Sequence, residues 1–94
     1  MKKHKFSSYR RSARERGLSF ELSFNQFIDL IERECRYCKN PPLNGVDRFD
    51  NLIGYTQENC VPCCSKCNYA KRDMDFNDFK EWVKRLHENL IQET

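Results

Sequence analysis

Ninety-four residues, 38% hydrophobic and 33% charged, make one small domain with a modest core. At that size a core alone rarely holds a fold, and six cysteines offer a staple. No segment approaches the roughly 18 apolar residues of a membrane span, and the opening Met1-Lys2-Lys3-His4-Lys5 is unlike a secretion signal. Cysteines in C-x-x-C pairs without such a signal point to metal thiolates in an intracellular, reducing compartment, not to disulfides or a membrane partner.

The net charge of +3 is unevenly placed: residues 1–16 hold seven Lys/Arg against Glu15 alone, and the rest of the chain is net −3. Residues 1–17 therefore read as a basic N-terminal arm or helix, and 18–94 as a single domain. Such an arm suits a polyanion, because each phosphate it neutralises releases counterions. A solvated tail would have the same composition.

In chain order, Ser7-Ser8 suggests a cap for a helix from Tyr9 to Arg16, stopped by Gly17 and projecting Arg10, Arg11, Arg14 and Arg16. Leu18 to Leu22 alternates apolar and polar, as a short extended segment does. Ser23 with Gln26 forms a capping box, and Phe24, Phe27, Ile28 and Ile31 continue it as a core-facing helix to about Glu34. After Cys35-Arg36-Tyr37-Cys38 and a turn-rich stretch come strand residues Val46-Asp47-Arg48-Phe49, a loop, and a second short strand, Asn59 to Pro62. Cys64 to Arg72 reads as a helix. Asp75 with Asp78 starts a last helix whose Phe79, Trp82, Val83, Leu86 and Leu90 form an apolar stripe, read as core.

Two C-x-x-C units, 25 residues apart, predict a closed four-thiolate zinc site. Cys60-Val61-Pro62-Cys63 is a third, overlapping unit. Cys35, Cys38, Cys64 and Cys67 are the preferred ligands because the 64/67 pair enters a helix start. Residues 60–63 read as extended, so Cys60 and Cys63 read as small buried hydrophobes. A four-thiolate zinc is structural and leaves no open position, so any catalysis must sit elsewhere.

The ordered run Gly45-Val46-Asp47-Arg48-Phe49-Asp50, Gly54-Tyr55-Thr56, Asn59 to Cys64 and Cys67-Asn68-Tyr69-Ala70-Lys71 resembles the HNH (ββα-metal, or His-Me finger) endonucleases. It is most similar to a cysteine-rich branch, including some restriction enzymes, that carries Asp-Arg where most members carry Asp-His. The likeness covers Cys35 to about Lys71, and more weakly Tyr9 to Ala13 and Arg16 to Leu18. It implies an α+β fold: a small zinc-stapled ββα-metal domain with flanking helices. It also implies that Asp47 on the strand and Asn68 on the helix hold a catalytic Mg²⁺ or Mn²⁺, and that Asn59 braces the hairpin loop. Oxygen ligands suit those hard cations.

Arg48 stands where the family's base histidine would be. A guanidinium with a pKa above about 12 cannot take the proton, but it can clamp the scissile phosphate. The proton acceptor would then be Asp50 or solvent reached through a water on the cation, with Tyr37 or Tyr55 behind them, and His4 only if the arm folds back. Lys71 and Arg72 read as DNA-backbone contacts together with the arm's arginines. The leading expectation is a metal-dependent DNA endonuclease of low specificity, or a nicking enzyme, since one site makes one cut and a double-strand break would need a homodimer. The alternatives are a nucleic-acid-binding zinc module without cleavage and a zinc-stapled protein-interaction domain.

Overall fold

In the computed structural model, which describes residues 2–91, the elements run α1 (Lys2–Glu15), α2 (Phe24–Ile31), β1 (Gly45–Arg48), β2 (Cys60–Cys63), α3 (Ser65–Lys71) and α4 (Phe76–Leu90). Helix α1 passes straight through Ser7-Ser8 instead of being capped by them. Phe6, Tyr9 and Ala13 lie on one edge that packs into the core, and burying that edge outweighs the serines' local preference for a cap. Its end is a Schellman motif. Leu18 N–H donates to Ala13 O at 2.8 Å and Gly17 N–H to Arg14 O at 3.1 Å, with Gly17 at φ 72°.

The segment after α1 runs beside the hairpin loop through an isolated parallel bridge, Phe20 to Tyr55. Tyr55 N–H donates to Ser19 O at 2.9 Å, and Glu21 N–H to Tyr55 O at 2.7 Å. Gly54 permits this approach, since a Cβ there would stand 2.6 Å from Ser19 O. Helix α2 begins with the Ser23–Gln26 capping box and ends at Ile31, earlier than its pattern suggests.

Strands β1 and β2 pair antiparallel, with Asp47 opposite Val61 and Arg48 opposite Cys60. One core joins α1, α2 and the hairpin: Ala13, Leu22, Phe27, Leu30, Ile31, Val46, Tyr55 and Cys60, edged by Phe6, Tyr9 and Phe20. Phe6 packs edge-on against Phe20, Phe24 and Phe27 at centroid distances of 5.3–5.6 Å.

Helix α4 departs from expectation. Asp75 caps it as predicted, its Oδ1 accepting from Asp78 N–H at 2.8 Å. Of the apolar stripe, however, only Phe79 is buried and Trp82 half-buried, while Val83, Leu86 and Leu90 are exposed. Phe76 and Phe79 pack on Tyr37 and Phe49, and Val83, Lys84 and His87 beyond them line an open groove with Arg36, Tyr37 and Cys38. Periodicity reports amphipathicity but not whether another element covers the apolar face. No helix among the described residues is long and apolar enough to cross a membrane.

Candidate metal centre and active site

The Sγ atoms of Cys35, Cys38, Cys64 and Cys67 lie within 4.8 Å of one another, forming a site that can hold a metal such as zinc. Cys38 Sγ and Cys64 Sγ are 3.6 Å apart. That is close to the edge of about 3.8 Å that a tetrahedron with zinc–sulfur bonds of about 2.3 Å would have. Cys64 is the N-cap of α3, its sulfur accepting from Cys67 N–H, so the second pair is set by the helix start itself. Arg36 N–H donates to Pro62 O at 2.8 Å and ties the first pair to β2.

Burial pushes the Cys35 thiol up, but backbone hydrogen bonds from Cys64, Cys38 and Tyr37 outweigh it and hold the thiol at about 6. Cys67 is pushed up by burial and by its thiol neighbours. Four thiols packed this closely resist full ionisation unless a cation sits among them. Cys60 and Cys63 are buried and lie outside this cluster, as their extended context predicts. Burial, with Asp47 nearby, raises Cys60 to about 12.

Beside the cage, β1, α1 and α3 enclose a cavity of about 250 Å³. Asp47, Arg48 and Asn68 line it, with Tyr9, Ser12, Arg16, Asn51, Tyr55 and Arg72. Asp47 is buried, and its Oδ2 accepts from Tyr37 OH at 2.8 Å and lies 3.2 Å from Lys71 Nζ. Among the described residues nothing bonds its Oδ1, and the Asn68 side-chain amide is likewise uncommitted. Arg48 Nη1 donates to Asn51 O at 2.7 Å and Ile53 O at 2.9 Å, and its guanidinium lies 5.6 Å from the centre of the Tyr55 ring. Its remaining donors are free for a ligand in the cavity.

Asn59 is bonded into the hairpin loop. Its Oδ1 accepts from Asp50 N–H, and its Nδ2 donates to the carbonyls of Asp50, Ile53 and Gly54. Asp50 is a correction. Its carboxylate accepts from Leu52 N–H at 2.9 Å, an Asx turn that closes the loop, and it does not line the cavity. The strand ends at Arg48, so the alternation that would have put Asp50 on the same face does not reach it.

Lys71 is the second correction. Expected at the surface against phosphate, it is wholly buried and paired with Asp47. Three residues on from Asn68, its side chain turns inward, drawn by a carboxylate that the sequence separates from it by 24 positions. Tyr37, considered as a base, is instead a donor to Asp47. Burial and the Asp47 carboxylate push its phenol well above the usual tyrosine range. Tyr55 OH accepts from Arg16 Nη2 at 2.8 Å.

The cationic groups divide. Arg16, Arg48 and Arg72 line this cavity and, with Lys5, an adjoining open basin of about 800 Å³. Arg10, Arg11 and Arg14 are exposed on α1 and line neither, Arg10 lying 5.6 Å from the Phe6 ring centre. Tyr9, Ser12 and Asn51 were not identified as site residues from the sequence. Tyr9 carried a signal, since its hydroxyl accepts from Val46 N–H at 3.0 Å and a Cβ at Gly45 would stand 2.5 Å from it. A glycine leading into a strand marks such an approach, but not which side chain makes it.

No known family profile matches the chain. Over 79 residues it is 40% identical to the uncharacterized protein R423 of Acanthamoeba polyphaga mimivirus, covering 80% of this chain but only 15% of that much longer protein. Among solved structures it is similar to PacI, a rare-cutting HNH restriction endonuclease described for its mechanism of DNA perturbation. That match has a TM-score of 0.71 and 17% identity, over 93% of this chain and 77% of PacI. The fold is thus of the HNH type, with two short strands and a helix framing a four-cysteine site.

Proposed function

We propose that this chain is an HNH-type DNA endonuclease module, holding structural zinc in its thiolate cage and using Mg²⁺ or Mn²⁺ to hydrolyse a phosphodiester bond. One observation carries the reading: the strand-borne Asp47 and the helix-borne Asn68 line one small cavity, each with an uncommitted side-chain oxygen, beside the Arg48 guanidinium. A carboxylate and an amide oxygen are a donor set for a hard cation, not for zinc. The four sulfurs fit zinc in both spacing and chemistry.

The bound cation would supply the charge that polarises the phosphate and stabilises the leaving 3′-oxygen. Arg48, held by two loop carbonyls, binds the same phosphate with its free donors and meets the charge that grows there. Arg16 and Arg72 extend the cationic wall toward flanking phosphates. Among the described residues that line the cavity, Asp47 is the one carboxylate and none is an imidazole, while Asp73 lines the adjoining basin. We assign the proton of the attacking water to solvent or to a phosphate oxygen, with Asp73 the nearest further carboxylate of the basin. Exposed Arg10, Arg11 and Arg14 would follow the backbone further along.

One cavity makes one cut, so nicking with little sequence preference is the expected activity. Paired cuts would need two copies of the chain. The thiolate cage suits a reducing, intracellular setting. The test is supercoiled plasmid with Mg²⁺ or Mn²⁺, wild type against Asp47→Ala. Nicking that EDTA and the substitution both abolish supports the proposal. Salt-sensitive DNA binding with no cleavage under either metal would favour a binding module, a reading that the missing base already recommends.

A further inference from the structure

We propose that Lys71 is a built-in counter-ion for Asp47, a positioning residue that keeps the site assembled before a divalent cation arrives and limits how tightly that cation binds. The inference rests on the reading of Asp47 as a cation ligand. Lys71 is 0% exposed, and its Nζ, 3.2 Å from Asp47 Oδ2, makes no hydrogen bond of good geometry. Among the described residues, this buried ammonium with no neutral acceptor is paired with one anion, the Asp47 carboxylate, which compensates its charge. Lys71 does not line the cavity and so cannot reach a phosphate there. Whatever it does for chemistry it does through Asp47.

The placement gives the pair two consequences. Lys71 closes α3 and Asp47 sits in β1, so the ion pair joins the two elements that carry the candidate ligands. Tyr37 OH donates to the same oxygen at 2.8 Å, so both contacts hold Oδ2 and leave Oδ1 for the cavity. The carboxylate orientation is therefore set from behind. A divalent ion approaching Oδ1 also meets a carboxylate already half-neutralised and a positive charge one group away, which weakens its binding. A DNA phosphate adds negative charge on the cavity side, so the cation is held firmly only with DNA present.

The test uses the zinc-loaded full chain without DNA, as wild type, Lys71→Met, Asp47→Asn and the double variant. Thermal unfolding is read with and without Mn²⁺, and Mn²⁺ affinity by paramagnetic resonance. Breaking a buried pair by removing one partner should lower the midpoint of Lys71→Met by on the order of 10 °C or more in metal-free buffer. Mn²⁺ should recover most of that loss while moving wild type by only a few degrees, and its affinity for Lys71→Met should rise about tenfold. The double variant should return close to wild type, since removing both charges leaves none unpaired.

Losses that simply add in the double variant, or a double variant that fails to fold, would overturn the proposal. So would equal Mn²⁺ shifts in Lys71→Met and wild type, or no Mn²⁺ binding by any of the four. Failure of the nuclease reading looks different: the coupling persists between residues 47 and 71, yet wild type never nicks plasmid.

Discussion

Four hydrogen bonds converge on the buried amide of Asn59, and they hold the loop that in turn holds Arg48. Asn59→Ala leaves the Asp50 N–H without its acceptor and takes one of two donors from the carbonyls of Asp50, Ile53 and Gly54, so a loss of about 1–3 kcal/mol is expected, read as a fall in thermal midpoint. Cleavage should fall with it, because the Arg48 anchor loosens. A different prediction attaches to Cys60, next along the chain, whose thiol burial raises from 9.0 to about 12. Between those values the unfolded chain has lost a proton that the folded chain keeps, so this contribution is complete below pH 9 and drains away as pH rises toward 12. Stability should drop by about 1.4 kcal/mol per pH unit over that window. Denaturant titrations of Cys60→Ala across it should show a shallower slope than wild type. At this scale the bracing role of Asn59, which bonds residues five to nine positions away, came from the family resemblance and not from its local sequence. Lys71 was misread because its partner lies across the fold, and an exposed helix-end cation has the same local sequence as a buried one.

The starts of α2 and α4 were the most readable features, for a related reason. The caps of α2 and α4 need only residues three apart, Ser23 with Gln26 and Asp75 with Asp78, and both form. The thiolate pairs share that locality, and the choice of Cys64 and Cys67 followed from the helix start that positions them. Zinc content offers a direct check: Cys38→Ser and Cys67→Ser should lose the metal, whereas Cys60→Ser should retain one ion per chain. The α4 stripe shows where pattern stops informing, since the same spacing serves a covered and an uncovered face. Phe79→Ala should cost about 3 kcal/mol, whereas Leu90→Ser should stay within about 0.5 kcal/mol. Chemical denaturation of the two variants measures the contrast, and equal losses would restore the stripe to the core.

At the scale of the molecule, a radius of gyration of 14.4 Å exceeds the value of about 12–13 Å expected for a compact chain of this length. Extents of 46 × 27 × 19 Å describe an elongated molecule. The charge is arranged with equal asymmetry: Lys5 of α1, Arg16 just after it, Arg48 of β1 and Arg72 at the C-cap of α3 gather on one basin. Composition revealed a basic arm, but three of its arginines do not line that basin, and only folding brings Arg48 and Arg72 to Arg16. If the basin is the phosphate path, DNA affinity should fall with salt at a log–log slope of at least about −3.5, four contacts contributing roughly 0.9 each. Arg72→Ala should make that slope shallower by about one and weaken all sequences alike, because a phosphate contact carries no base information. Fluorescence anisotropy across a salt series measures both. An unchanged slope in Arg72→Ala would move the phosphate path off α3. A decrease found only on substituting Arg10, Arg11 and Arg14 together would place it on the outer face of α1, away from Asp47 and Asn68.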